Sequence, residues 1–288
     1  MNNNKIILGT AQLNNIYGYS NSKVKLNKLK FNKIIKIMRA NQINFFDTAP
    51  SYNNDKILSS FLKKDDNLIS KIDFNNNLSY TPKKIEKIVK NNFKNLNIKT
   101  LYGLLIHNID SIYEKNFKKF YKQLRKQKKI KKFGFSCYKI EEVEYILDNF
   151  KFEILQFPFN VFDQRLVKKK NIITKLKQRG IEIHIRSIFL QGILLDNKIH
   201  LNSYFSYWKK LFNNYKRFRV LSKITNLESA IYFIKKYNFY DKIIIGVEKP
   251  EHLIKILYIF FSKNEKSYDF KKFNTSNKKL ILPYLWKK

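Results

Sequence analysis

Eight short apolar runs, rich in β-branched and aromatic residues, recur along the chain with amphipathic segments between them. They are KIILGT (5–10), INFFDT (43–48), NLISK (67–71), LYGLLIH (101–107), KKFGFS (131–136), ILQFPFN (154–160), IEIHIRS (181–187) and KIIIGV (242–247). The runs are nearly continuous rather than alternating, as expected of strands buried on both faces in a parallel sheet covered by helices. The intervening segments read as helices. NKLKFNKIIKIMRANQ spaces Leu29, Ile34, Ile37 and Met38 at helical intervals. TPKKIEKIVKNNFKNL opens with Thr81 as N-cap and Pro82 at the first helical position, and ITKLKQRGIEI stops at Gly180, a residue suited to the position after a helix end. Eight strands, each followed by a helical stretch, in a chain of 288 residues predict an α/β fold of the (β/α)8 TIM-barrel kind, with its site at the C-terminal ends of the strands.

A doubly wound sheet is the rival arrangement. With only seven glycines, no G-x-G-x-x-G follows any strand, so the dinucleotide-binding form of that rival lacks its main support. There is no Pro/Gly/Ser-rich linker and no internal repeat, which places residues 1–288 in a single domain. The longest irregular stretch, 192–224, carries Tyr204, Phe205, Tyr207 and Trp208; it reads either as a lid over a pocket or as helical core packing.

The formal net charge of +36 raises the question of nucleic acid. Only seven of the 58 basic residues are arginine, at positions 39, 125, 165, 179, 186, 217 and 219, and arginine is the residue that base edges and bidentate phosphate contacts favour. Lysine, Asn, Ile, Phe and Tyr are enriched together, as an AT-rich coding sequence would produce, and the lysines recur across every predicted helix. The charge therefore reads as a solvated coat, with no specific nucleic-acid partner expected. The one cysteine, Cys137, excludes an internal disulfide, and MNNNKIILGT has no basic stretch leading into a long apolar one. A cytoplasmic protein is expected. The strongest apolar run, LIKILYIFF, is short and broken by Lys255, so no membrane span is expected either. The four histidines, at 107, 184, 200 and 252, form no metal-ligand spacing, and no G-x-S-x-G elbow exists.

The strand assignment selects a set of polar residues for one rim of the barrel: Asp47, Lys71, His107, Ser136, and Arg186 with Ser187. With Tyr52 they suggest proton donation to a carbonyl. A phenol is a poor acid at neutral pH unless a neighbouring ammonium, here Lys71, stabilises its phenolate; Asp47 would pair with that ammonium, and His107 would orient the carbonyl oxygen. Singly, each residue has a plainer reading. Asp47 fits a helix N-cap, Tyr52 a packing residue, Lys71 one more surface lysine, His107 a core histidine, and Cys137 a strand-end contact rather than a nucleophile.

LGTAQL with YGYSN, then FDTAPSY, ISK, LLIH, FGFS, LQFPFN, RSIFLQG and IIGVEKPEHL occur in that order. Together they resemble the strand ends of the aldo-keto reductase superfamily over nearly the full length. The resemblance implies an NAD(P)H-dependent reduction of an aldehyde or ketone, sugar-like ones included, in a barrel without a Rossmann domain. Tyr52 would be the general acid, Lys71 and Asp47 its electrostatic partners, and His107 the residue orienting substrate. Ser136 and Gln156 match positions that hold the nicotinamide carboxamide, and Cys137 stands where many members have Asn. Arg186 takes a place often aromatic and stacked on the nicotinamide. Ser187, Phe189, Gln191 and Gly192 fall along the pyrophosphate, Lys249 and His252 near the adenine end, and Gly9, Thr10, Asp47 and Gly246 complete the implied cofactor contacts.

The sequence departs from the family's pattern in two places. Glu248 and Lys249 replace the Arg-Ser pair common in NADPH-preferring relatives, which leaves the choice between NADP(H) and NAD(H) open. After Tyr52, NNDKILSS lacks the usual glycine and is one residue shorter, which raises the question of where the phenol sits. Oligomeric state is not readable, and a cofactor-binding or sensing barrel with little turnover, as in potassium-channel beta subunits, is the alternative function.

Overall fold

A computed structural model describes residues 5–16, 18–19, 26–74, 81–107, 109–263 and 266–286. Tyr17, Ser20 and Asn21 of the YGYSN motif and the first four residues of the chain lie outside the described residues. Eight parallel strands pair in chain order and close on themselves: β1 (Ile6–Gly9), β2 (Phe45–Asp47), β3 (Asn67–Ile72), β4 (Leu101–Ile106), β5 (Ile130–Ser136), β6 (Ile154–Pro158), β7 (Glu182–Arg186) and β8 (Lys242–Gly246). Closure runs through β1 and β8, with Ile6 opposite Ile243 and Gly9 opposite Gly246. Each predicted apolar run holds one strand, and the fold is the (β/α)8 barrel that their number and continuity imply.

The helices are α1 (Lys28–Ala40), the short α2 (Asp55–Ser59), α3 (Pro82–Leu96), α4 (Phe117–Leu124), α5 (Ile140–Asn149), α6 (Lys170–Gln178), α7 (Lys209–Leu221), α8 (Asn226–Lys235), α9 (Pro250–Phe261) and the short α10 (Lys278–Ile281). Local chemistry sets their ends. The Thr81 hydroxyl accepts the backbone N–H of Lys84 with Pro82 at the first position of α3, and α6 ends at Arg179 before Gly180, whose φ is +66°. One expectation about a helix face fails. On α1 the buried residues are Phe31, Ile34, Ile35 and Met38, whereas Leu29 is 76% exposed. Leu29 lies in the first turn after the Asn27 cap, off the face that Phe31, Ile34, Ile35 and Met38 bury.

Alternate strand residues fill the barrel, and those between them pack against the helices. Ile7, Phe45, Ile69, Leu105 and Ile154 form an internal cluster separate from the much larger one. Lys132 on β5 and Glu182 on β7 form a 2.6 Å ion pair near the strand starts, and the Tyr102 hydroxyl donates to the same carboxylate at 2.7 Å. The fully buried His184 meets Glu182 at 3.0 Å, and burial pushes its pKa down. These polar side chains gather at the N-terminal end of the barrel.

The central layer leaves no room at Gly134: a Cβ there would lie 2.0 Å from the backbone oxygen of Ile154. Gly134→Ala is expected to destabilise the protein by about 3 kcal/mol, because a barrel strand has to move. Gly180→Ala, with open space around it, is expected to cost only about 1 kcal/mol through its backbone conformation. Urea unfolding of both variants checks the order; equal losses would mean that the wall yields at β6.

The 192–224 stretch is not a lid built of aromatics. It coils through short 3₁₀ turns into α7, with Phe205 fully buried and its ring 4.8 Å from that of Tyr19 and 5.1 Å from that of Trp286. Tyr204 and Trp208 pack on the same ring, and of the four aromatics Tyr207 alone projects outward, 81% exposed. No helix among the described residues is long and apolar enough to cross a membrane.

Candidate active site

At the C-terminal mouth the strand ends and the loops beyond them enclose a cavity of about 850 Å³. Asp47 ends β2 and is 4% exposed. Such a carboxylate needs partners, and it has two: Oδ1 accepts from Lys71 Nζ at 2.6 Å and Oδ2 from Gln156 Nε2 at 2.7 Å. The Lys71 ammonium also donates to the backbone oxygen of Thr48 at 3.0 Å. The pairing follows from register. Asp47 lies opposite Ile69, so Lys71, two residues further along β3, faces the barrel interior just above it.

Tyr52 is carried by a 3₁₀ turn, Pro50–Tyr52, that leaves β2 through Thr48 and Ala49. At the position of the missing glycine stands Asn53, which takes a left-handed conformation at φ 50°, ψ 34°; asparagine tolerates that region because its short side chain can bond locally. Buried Asn54 then donates to the backbone oxygen of Thr10 at 2.7 Å and pins the loop after β1, while the Asn15 side chain donates to the backbone oxygen of Tyr52. The shortened loop therefore turns back into α2, with Leu58 buried, and Tyr52 still lines the cavity.

The expected electrostatic coupling takes a different form. Lys71 Nζ lies 5.6 Å from the centre of the Tyr52 ring, but its hydrogen bonds go to Asp47 and Thr48. Burial pushes the phenol pKa up, Asp47 adds to the rise, and the cation that opposes it is Arg186. Lys71 is instead engaged with the Asp47 carboxylate below the phenol. A phenol held this way stays protonated at neutral pH.

His107 follows β4, its backbone N–H donating to the backbone oxygen of Ile72 at 3.0 Å and its Nδ1 lying 3.7 Å from Asp73 Oδ1. Ser136, the last residue of β5, stands opposite Gln156 in the middle of β6. Both are buried, and Gln156 Oε1 has no hydrogen-bond partner among the described residues. Arg186, at the end of β7, donates from Nη2 to the backbone oxygen of Cys137 at 3.0 Å and lies 4.0 Å from the centre of the Tyr138 ring. Cys137 itself is fully buried, its thiol pKa raised by burial, and packs in the core.

Beyond Arg186 the chain winds through positive φ at Ser187 (58°), Leu190 (47°), Gln191 (51°) and Gly192 (91°), and with Phe189 this segment borders the cavity. Gly9 and Gly246 face each other across the barrel seam beside Thr10, whose backbone N–H donates to the backbone oxygen of Asp47 at 3.0 Å. Lys249 immediately precedes α9, and His252, its pKa pushed down by burial, lines the far end with Glu248 and Lys255.

All of the residues selected from the sequence thus border one cavity. Others were not selected: Gln12, Tyr138, Asn197, Thr225, Asn226 and Leu227. A signal existed for the group at 225–227, since Thr225 and Glu228 form a capping box that opens α8. Among the described residues no three His, Cys, Asp or Glu side chains gather as metal ligands would.

A closed parallel barrel with a polar cavity at its C-terminal mouth is the architecture of a TIM-barrel enzyme. The chain belongs to the aldo/keto reductase family, whose profile matches residues 5–277, and this makes it an oxidoreductase of that kind. Among solved structures it is similar to an aldo-keto reductase from Bacillus halodurans in its holo form, at 14% identity and a TM-score of 0.71 over 94% of this chain and 92% of that one. It is also similar to the glycerol dehydrogenase of Gluconobacter oxydans, at 16% identity and a TM-score of 0.65 over 93% and 89%. A third similar structure is an aldo-keto reductase from a Medee basin deep-sea metagenome library, at 16% identity and a TM-score of 0.61 over 94% and 92%. No curated protein matches the sequence.

Proposed function

We propose that the protein reduces an aldehyde or ketone to the corresponding alcohol with NADPH or NADH. In this reading it works in the cytoplasm on a small carbonyl substrate. The observation that carries the proposal is the buried Lys71–Asp47–Gln156 network beside Tyr52, in one cavity with an acceptor, Gln156 Oε1, that lacks a donor among the described residues.

The residues present suit a nicotinamide. A carboxamide has N–H groups to give to Gln156 Oε1 and a carbonyl to accept from the Ser136 hydroxyl, and Lys249 and Lys255 at the far end suit phosphate. When bound, the cofactor supplies the hydride. Tyr52 gives its proton to the carbonyl oxygen as negative charge develops there, and its raised pKa keeps the phenol in the donating form. An alkoxide is more basic than a phenolate, so the transfer runs downhill. His107 orients the carbonyl oxygen. Asp47 and Lys71 fix each other and exclude a stray charge from beneath the phenol.

One observation favours the sensing alternative: Lys71 is committed to Asp47 and Thr48 rather than to the phenol hydroxyl. Turnover on a panel of carbonyls separates the two readings. Both require the cofactor, so calorimetric titration with NADPH and with NADH tests the common ground, and no binding at millimolar concentration would remove both. Glu248 and Lys249 oppose one another at the 2′-phosphate end; Lys249→Glu is expected to weaken NADPH by roughly tenfold more than NADH.

A further inference from the structure

We propose that Arg186 makes this site hold the reduced form of its nicotinamide cofactor in preference to the oxidised form, an inference that rests on the cofactor reading above. Arg186 ends β7, opposite Pro158 of β6 and one strand over from Gln156. Its bond to the carbonyl of Cys137 reaches the residue next to Ser136, and its stacking on Tyr138 fixes the guanidinium against that same wall. Neighbouring strands lie about 4.8 Å apart, so a ring whose carboxamide engages Gln156 and Ser136 sits within the field of this cation.

The charge is held but not cancelled. Lys71 is paired with Asp47 and Arg165 with Asp163, whereas no carboxylate lies within ion-pair distance of Arg186 among the described residues. Its partners are a neutral carbonyl and the face of an aromatic ring, and its Nε has no hydrogen-bond partner there. A guanidinium does not deprotonate in a protein, so the positive charge is permanent. Its reach into the cavity is visible at Tyr52, where Arg186 opposes the rise in the phenol pKa.

Reduced and oxidised nicotinamide differ by one positive charge on the ring. A fixed cation in the wall of the same partly buried cavity disfavours the charged ring and shifts relative affinity by roughly tenfold or more. The bound couple is thereby tilted toward the reduced cofactor, which makes alcohol oxidation easier here than in a barrel with a neutral residue at this strand end.

The test is calorimetric titration of the unaltered protein, Arg186→Gln and Arg186→Lys with the oxidised and reduced forms of NAD and NADP. The unaltered protein is expected to bind the reduced form roughly tenfold or more tightly, Arg186→Gln to lose about tenfold of that ratio, and Arg186→Lys to keep most of it. A ratio near one in the unaltered protein overturns the inference whatever the variants do. So does an Arg186→Gln protein that weakens both forms by the same factor, since Arg186 is then a packing residue; in both cases the cofactor reading stands. Failure of the unaltered protein to bind either form removes the cofactor reading, and this inference with it.

Discussion

A Tyr52→Phe protein is expected to reduce carbonyl substrates ~10²–10⁴-fold more slowly than its parent while binding the nicotinamide cofactor within about twofold. The substitution removes one hydroxyl and leaves the ring in place. The ring is set by the Pro50–Tyr52 turn, the left-handed Asn53 and the hydrogen bond from Asn15 to the backbone of residue 52, none of which involves the hydroxyl. Steady-state rates on an aldehyde that the parent reduces, together with calorimetry, separate the two effects. Wild-type turnover by Tyr52→Phe would make Tyr52 a packing residue and move the proton donor elsewhere in the cavity.

The second large effect concerns stability. Lys71→Met leaves the Asp47 carboxylate buried with Gln156 as its remaining partner, and breaking a buried pair from one side typically costs 3–5 kcal/mol. A loss of about 4 kcal/mol in urea unfolding is expected, with reduction largely lost as well. Joining Asp47→Leu to Lys71→Met removes both charges and is expected to recover roughly 2 kcal/mol or more of that loss without restoring activity. If the double variant is as unstable as the sum of the single ones, Lys71 and Asp47 do not act as a unit.

The barrel was legible because each strand is buried on both faces and so reads as a nearly unbroken apolar run; Phe45, Phe46 and Asp47 mark the end of one as plainly as a boundary can be marked in sequence. The strand-end polar residues followed from the same reading, since a parallel barrel brings all such ends to one mouth. Contributions from the returning loops were harder to see. Tyr138 and Gln12 border the cavity because of how the chain leaves β5 and β1, and no periodicity encodes an exit direction. Asn53 shows the limit of motif reading, for a residue other than glycine takes the left-handed conformation that glycine favours. Charge coupling was less legible still. That Lys71 bonds to Asp47 and Thr48 rather than to the phenol depends on distances that spacing along a chain does not contain.

The seam between β1 and β8 joins Ile6 to Ile243, residues near opposite ends of the chain. On a ribosome adding about 5–20 residues per second, β1 waits on the order of tens of seconds for its last neighbour. Throughout that interval its outer row of backbone N–H and C=O groups is an open strand edge, able to pair with any other unfinished chain nearby. Gly9 and Gly246 meet only when the seam closes, so the cavity has no complete wall until nearly the whole barrel has been synthesised.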